Sequence, residues 1–281
     1  MRPPVFPTTT LLVAILLMFI TSSCREELQP AVKPSEFSKP SREQLGDRIR
    51  IAIAQNPEGY PVLPKIPPYN STVYWYIQTL YNQLNSEIRA DRNSPINNRW
   101  TTARSWEITV LDTSEVNAFI IPGGHLYITT GMLRKMEKEY ELYYVLAFEL
   151  SFMQEKFLIN HLFSEYTTTT ISELAASGRA AEDLSIDKLA EAVTNLFIEP
   201  ETVRTLDEKA ARLICQTSAM DRTGIIPLLN DTDADVPWLI NRSNYSGRAE
   251  YVRNSITILD ANCGSFRSNG GFKEYVLDVL Q

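Results

Sequence analysis

Few side chains in this sequence are suited to holding a metal ion or activating a water molecule. The chain has two histidines, His125 and His161. No helix can therefore carry two imidazoles four residues apart, the spacing at which both ligate one zinc ion. His125 lies in a β-rich run and is expected to be structural. His161 is expected to be packed or solvent-facing, so neither histidine is predicted to be a ligand.

Two other kinds of chemistry are also disfavoured. Asp231, Asp233 and Asp235 alternate like the opening of a calcium-binding loop, but Val236 stands where glycine is needed and Arg242 where glutamate should close the shell. An acidic, solvated loop is expected there instead. The sequence has no Gly-x-Ser-x-Gly elbow for a serine hydrolase.

The elements expected to position these residues form an α+β, helix-dominated fold. Helical periodicity predicts helices at about 42–55, 71–88, 132–163, 186–197, 201–219 and 248–259. Three β-rich runs, at 106–111, 116–121 and 125–129, are separated by turn residues and predict a small β-meander. The apolar run at 132–163 predicts a buried central helix on which the meander packs. Residues 167–178 are expected to form a mobile connection.

The N-terminus predicts export from the cytoplasm. Arg2, an apolar stretch at 11–20 and small residues before Cys24 are typical of a lipoprotein signal peptide. The stretch is too short for a retained membrane span, which needs about 20 apolar residues. We expect cleavage before Cys24 and a lipid anchor on its thiol. Ordinary secretion with a paired cysteine is the alternative, because Thr21 stands where leucine is usual.

Composition divides the chain into a signal peptide at 1–23, a flexible tether at 24–45 and a folded body at 46–281. The tether holds proline, serine and several charges, and too few apolar groups to form a core. Its first residues, Cys24-Arg25-Glu26-Glu27, resemble the export tag of some surface lipoproteins. We therefore expect the outer membrane of the cell envelope, on its periplasmic or its surface face.

The net charge and the cysteine content indicate which molecules and which bonds this chain is expected to form. The chain has 27 Lys and Arg against 34 Asp and Glu, a net charge of −7, which argues against nucleic-acid binding. The expected contacts are the membrane, through the lipid on Cys24, and a peptide or envelope protein. If Cys24 is acylated, Cys215 and Cys263 remain in an oxidising compartment and are either bonded to each other or free.

The segment at 106–157 resembles the active-site region of zinc peptidases of metallopeptidase family 48, the HtpX-like and CAAX prenyl protease group. The resemblance implies a zincin-like peptidase fold for residues 46–281. It rests on Val116-Asn117-Ala118-Phe119, Pro122-Gly123-Gly124-His125, Thr130-Gly131-Met132-Leu133, Glu141-Leu142 and Val145-Leu146-Ala147, with Gln44-Leu45-Gly46 upstream.

The resemblance also implies that the catalytic site is vestigial. Where the family continues with His-Glu-x-x-His, this chain reads Phe148-Glu149-Leu150-Ser151-Phe152, and phenyl rings have no lone pair for a metal. Glu149 stands at the position of the general base, and Asp207 at that of the third ligand. Catalytic zinc needs three protein ligands and a water, so no zinc cofactor is expected.

Two packing expectations follow. Phe148 and Phe152 are expected to fill the core where metal and imidazoles would be. Glu149 is then a carboxylate beside an apolar site, and it should find a cation or stay protonated. Arg248 or Arg253 is the hypothesis for that cation.

The favoured function is that of a catalytically inactive peptidase-like lipoprotein that binds a peptide or an envelope protein. In the resembled family, an edge strand pairs with extended substrate, and such pairing needs no zinc. The alternatives are an active zinc metalloendopeptidase with unusual ligands and a structural envelope lipoprotein. The residues expected to form the peptide-binding edge are Asn117, Ala118, Phe119, Gly123, Gly124 and His125.

Overall fold

Helices dominate the structure, a computed structural model that describes residues 37–90, 107–154, 157–180, 184–216, 225–230, 236–260 and 271–281. All of these residues lie in one compact unit, Val32–Gln281. The sheet within the described ranges has three strands. The predicted α+β, helix-dominated class is therefore confirmed.

The first described helix, α1, spans Lys39–Gln55. Ser38 caps its N-terminus, since the Ser38 hydroxyl accepts a hydrogen bond from the Ser41 backbone N–H at 3.2 Å. Phe37 and Leu45 are buried, with 3% and 0% exposure. The predicted tether at 24–45 therefore ends too late, because Phe37 and Leu45 already pack into the body.

The three strands form a mixed sheet. They are β1 (Ile108–Leu111), β2 (Ala118–Ile121) and β3 (His125–Thr129), in the order β1-β3-β2. β3 pairs antiparallel with β2 and parallel with β1. The predicted meander is wrong in this respect, because β3 inserts between the two strands that precede it. Gly123 and Gly124, with φ of +87° and +93°, form the tight β2–β3 turn.

The remaining helices account for most of the described residues. Their bounds are α2 (Tyr69–Ala90), α3 (Thr130–Lys135), α4 (Glu139–Gln154), α5 (Phe157–Glu165), α6 (Thr168–Ser177), α7 (Ile186–Thr194), α8 (Pro200–Gln216), α9 (Ile226–Leu229), α10 (Pro237–Asn241), α11 (Arg248–Asp260) and a short π-helix (Lys273–Leu277).

Two helical predictions need correction. The single helix predicted at 132–163 includes parts of three helices, α3, α4 and α5, because Met136 takes an extended conformation that ends α3. The connection predicted at 167–178 is helix α6. Thr167 caps its N-terminus, and Gly178, with φ of +78°, caps its C-terminus in the left-handed conformation.

The central helix α4 positions the candidate site. Every residue from Leu142 to Phe152 is buried, and α4 packs against α8 and β2. A helix buried all round has no solvent face for its polar groups. Any charged side chain on α4 therefore needs a partner inside the protein, which makes Glu149 the residue to follow.

No helix in the described part of the chain is long and apolar enough to cross a membrane.

Gly46 permits the close approach of α1 to the β2–β3 turn. A Cβ at this position would lie 1.7 Å from the Pro122 carbonyl oxygen, so backbone on one side would have to move. We expect Gly46→Ala to lower the free energy of unfolding by about 3 kcal/mol, measured by urea denaturation. Gln55→Ala, at an exposed position of the same helix, is the control and should change it by less than about 0.5 kcal/mol.

Candidate functional site: two buried carboxylates and two arginines

Glu149 lies on the inner face of α4, with 0% exposure. Arg242, at the end of α10, donates from Nε to Oε1 at 3.0 Å and from Nη2 to Oε2 at 3.2 Å. Trp238 on α10 donates its indole N–H to the same Oε1 at 3.0 Å. A bidentate guanidinium and an indole therefore occupy both oxygens of this carboxylate.

The prediction that Arg248 or Arg253 pairs with Glu149 is wrong. Arg253 lies on the surface beside Glu250, and Arg248 pairs with a different carboxylate. The cation is Arg242, itself 1% exposed. Glu149 does have a buried cationic partner, as its position in an apolar helix requires.

Asp207 on α8 forms the second buried pair. Arg248 donates from Nη2 to Oδ1 at 2.9 Å and from Nε to Oδ2 at 3.0 Å. The Tyr144 hydroxyl of α4 donates to Oδ1 at 2.8 Å. Burial raises the pKa of Tyr144 well above its usual value, and the charge of Asp207 adds to this effect. Tyr144 therefore stays a neutral donor.

A backbone contact links the two pairs. Arg248 donates from Nη1 to the carbonyl oxygen of Arg242 at 2.9 Å. Burial alone would lower the pKa of Arg248, but the charge and hydrogen bonds of Asp207, together with Tyr144 and Tyr245, outweigh this effect and raise the pKa. The four charged groups form one continuous buried network in which two guanidinium charges balance two carboxylate charges.

Phe148 and Phe152 pack into this network, as predicted. Their exposed fractions are 0% and 2%. Phe148 meets the Trp238 ring edge-on, with 5.6 Å between centroids, and the Arg248 guanidinium lies 5.3 Å from its centroid. The Arg242 guanidinium lies 5.8 Å from the Phe152 ring. Each ring thus packs against one of the two buried guanidinium groups.

These residues do not fit a catalytic zinc ion. Phe148 and Phe152 offer no lone pairs, and arginine donors engage both oxygens of Glu149 and of Asp207. Within the described ranges, no three His, Cys, Asp or Glu side chains come close enough together to hold a metal. No catalytic step through a metal can be derived from this arrangement.

The predicted peptide-binding edge is covered. Asn117, Ala118 and Phe119 are at most 3% exposed. The Trp238 backbone N–H donates to the Val116 carbonyl oxygen at 3.1 Å, and Arg242 donates from Nη2 to the Ala118 carbonyl oxygen at 3.3 Å. α10 therefore takes backbone acceptors that an added strand would need. Of the other predicted edge residues, Gly124 is buried, Gly123 is exposed and His125 is half-buried.

His125 serves the sheet and not a metal site. Its Nε2 lies 2.9 Å from the Thr109 hydroxyl, and its ring packs against Tyr127. Burial lowers its pKa to about 4, although Glu107 partly opposes this. The imidazole is therefore neutral at physiological pH.

Because its pKa is lowered by folding, His125 should make the free energy of unfolding depend on pH. Its pKa of about 4 in the folded chain lies below its ordinary value of 6.5, so the unfolded chain binds the proton first as pH falls. Stability is then lost between about pH 6.5 and pH 4, by at most about 3 kcal/mol. In His125→Gln this loss should be absent. Urea denaturation of both proteins across this range tests it, and equal pH profiles would contradict the assignment.

The remaining predicted residues are only partly described. Cys215 forms a disulfide bond. Cys263, its predicted partner, lies outside the described residues, as do the lipid-anchor Cys24 and the acidic loop at 231–235. His161 is half-buried on α5. The pairing of Cys215 with Cys263 stays a prediction.

Sequence reasoning missed Arg242 and Trp238 as site residues. In the sequence, Arg242 stands out only as a mismatch in a calcium-like loop, and nothing marks Trp238 as a site residue. A usable signal was present, because a helix as apolar as α4 cannot bury a carboxylate without a cation. The sequence did not show which arginine supplies that cation.

Comparison with known proteins agrees with this architecture. Residues 82–199 match the model of peptidase family M48. The matched span holds all three strands, α4 and Glu149, and it ends before Asp207, Trp238 and both arginines. No curated protein matches the chain. Over residues 82–199, this chain is therefore similar to peptidase family M48.

Proposed function

We propose that this chain is a catalytically inactive metallopeptidase-like lipoprotein, held in the cell envelope by lipid on Cys24, that acts by binding a protein or peptide partner. The observation that carries the proposal is the enclosure of Glu149. This carboxylate is 0% exposed and engaged by Arg242 and Trp238. The position of the general base is thus closed.

Catalysis fails on two physical grounds. A general base must lie within hydrogen-bond reach of the water that it deprotonates, and arginine and tryptophan donors take the oxygens of Glu149. Zinc-dependent hydrolysis also needs a metal to acidify that water. The positions that resemble the histidine ligands are occupied by Phe148 and Phe152. The proposed protein thus has a peptidase-like fold without the metal ligands and the free general base that hydrolysis needs.

A role in binding a partner is compatible with the parts of the fold that remain without a metal site. The sheet and α4 lie in the span that matches peptidase family M48, and a packed scaffold is suited to presenting a recognition surface. Because α10 covers the outer edge of β2, a partner would bind on other surfaces of the body. A lipid on Cys24 would keep those surfaces close to envelope proteins.

The catalytic half of the proposal is tested on the purified mature protein. We expect zinc well below one equivalent by atomic emission, and casein cleavage no higher in this protein than in Glu149→Gln. One equivalent of zinc, with cleavage that a chelator blocks and Glu149→Gln abolishes, would establish an active metalloendopeptidase instead.

The binding half is tested in the envelope. Crosslinking in cells, followed by pull-down from solubilised membranes, should recover a defined protein in amounts comparable with the bait. The same procedure on an unrelated lipoprotein is the control. If no specific partner appears under crosslinking, a structural envelope lipoprotein is the better description.

The anchor has its own test. In cells fed radiolabelled palmitate, the wild-type chain should carry label and sediment with membranes. Cys24→Ser should carry no label and appear in the soluble fraction. A secreted and unlabelled wild-type chain would favour ordinary secretion with a paired Cys24.

A further inference from the structure

An open cavity of about 450 Å³ lies near the covered β2 edge. Residues of α1, of the turn after it, of the β1–β2 connection and of α7 line it. A volume of this size is in the range of sites that hold small ligands or a few side chains. Its charged lining residues are Glu115, Asp187, Glu191 and Lys188. Three acidic groups against one basic group favour a cationic occupant.

A buried amide lies next to two of the residues that line this cavity. Asn117 is 3% exposed, and its Nδ2 lies 3.0 Å from Glu115 Oε1 and 3.5 Å from the Thr194 carbonyl oxygen. Glu115 and Thr194 both line the cavity. Asn117 Oδ1 has no hydrogen-bond partner within the described ranges.

An exposed apolar patch continues from the cavity. Residues 194–198 alternate between buried and exposed, so Asn195 and Phe197 face outward while Leu196 and Ile198 face inward. Asn195 lines the cavity, and Phe197 stands two residues further along with 47% exposure. The surface thus changes from acidic to apolar over a short distance.

A second chain segment widens the patch. The Ile198 backbone N–H donates to the Asn241 carbonyl oxygen at 2.8 Å, which brings α10 alongside. Ile240 on α10 is 54% exposed. Phe197 and Ile240 therefore lie on two neighbouring segments held together by a backbone hydrogen bond.

We propose that this cavity and the Phe197–Ile240 patch together bind a basic segment of a protein partner. A lysine or arginine side chain enters the acidic cavity, and an apolar side chain next to it packs on the patch. The inference rests on the proposed binding function and gives it a site and a partner chemistry. Charge complementarity selects the occupant, because an anionic lipid surface or a nucleic acid would be repelled by these carboxylates.

Peptide binding tests the charged half. The probe is a fluorescein-labelled peptide with the central sequence Arg-Leu-Lys-Leu, titrated with the mature protein and followed by fluorescence anisotropy. In E115Q/D187N/E191Q the dissociation constant should rise about tenfold, since three partly exposed charge contacts are lost. Raising the salt concentration should weaken binding to the wild type and have little effect on the variant.

A matched variant separates this site from net charge. E165Q/E201Q/D278N removes the same number of carboxylates from exposed positions on α5, α8 and the C-terminal segment, and it should bind as the wild type does. Equal weakening in both triple variants would overturn the proposal by showing that the peptide senses overall charge. A probe with glutamate in place of arginine and lysine should not bind.

The apolar half is tested with Phe197→Ser. Because Phe197 is half exposed, this variant should keep the stability of the wild type and bind the probe several-fold more weakly. Spermidine is the competing small cation. If spermidine displaces the probe while Phe197→Ser has no effect, the cavity binds free amines and the protein-partner proposal is overturned.

Failure of this inference can be told apart from failure of the proposed function. A partner crosslinked equally by the wild type and by E115Q/D187N/E191Q would place binding elsewhere and leave the function intact. Zinc-dependent cleavage by the wild type would overturn the function whichever variant binds the probe.

Discussion

Replacing Arg242 with methionine is expected to lower the free energy of unfolding by about 3–5 kcal/mol, because Glu149 would then remain buried without a cation. The guanidinium also donates to the carbonyl oxygens of Leu196 and Ala118. Methionine keeps much of the packing against Phe152 and supplies no hydrogen bonds. The decrease in the free energy of unfolding therefore measures the loss of the Arg242 charge and of its hydrogen bonds.

Urea denaturation followed by circular dichroism measures this loss. Arg253→Met is the matched control, since Arg253 pairs with Glu250 on the surface, with 48% and 61% of the two side chains exposed. An exposed pair of this kind contributes about 0–1 kcal/mol. A loss in Arg242→Met no larger than in Arg253→Met would contradict the buried network.

A double variant isolates the pairing itself. Removing both charges in E149M/R242M leaves no unpaired ion, and replacing a buried pair by apolar groups is often neutral or stabilising. We expect E149M/R242M to be more stable than Arg242→Met alone. If the double variant is the less stable of the two, Arg242 acts mainly through the two carbonyl groups and not through Glu149.

The secondary structure and the burial of individual side chains could largely be predicted from the sequence. Helix α4 is recognisable because residues 142–148 form an apolar run, and the β2–β3 hairpin because Pro122-Gly123-Gly124 separates two β-rich runs. The core positions of Phe148 and Phe152 follow from the same reasoning, since phenyl rings in an apolar helix bury well. These inferences depend on residues close together in the chain.

The errors concern contacts between distant segments. β1 lies next to β3 and not next to β2, and strand patterns specify which faces are buried without naming a neighbour. The cation for Glu149 comes from Arg242, far along the chain, and nothing near Arg242 marks it as a buried side chain. Tertiary packing alone selects one arginine among 27 basic residues.

The break between α3 and α4 was missed for a different reason. The residues around it, Met136-Glu137-Lys138, contain neither glycine nor proline. The start of α4 is stabilised by Glu141, whose Oε2 accepts hydrogen bonds from the backbone N–H groups of Glu137 and Lys138 at 2.6 and 3.0 Å. Such capping by a glutamate inside the first turn is easily read as ordinary helix.

Restoring the two histidines is expected not to restore a zinc site. In F148H/F152H, two buried rings become smaller polar groups, which loses apolar contact with Trp238 and leaves ring nitrogens without partners. We expect a loss of at least about 4 kcal/mol in the free energy of unfolding. Asp207 would still be held by Arg248, so the third ligand stays engaged.

Isothermal titration with zinc and urea denaturation check this double variant. We expect no stoichiometric binding in F148H/F152H, and F148L/F152L serves as the control that changes packing without adding ligands. Adding Arg248→Ala removes the guanidinium from Asp207, which keeps the Tyr144 hydroxyl, and it leaves Arg242 and Trp238 on Glu149, so the triple variant should still not cleave casein. One equivalent of tightly bound zinc in F148H/F152H would contradict this expectation. It would show that zinc displaces the arginines from Glu149 and Asp207, and that the two phenylalanines alone prevent metal binding in the wild type.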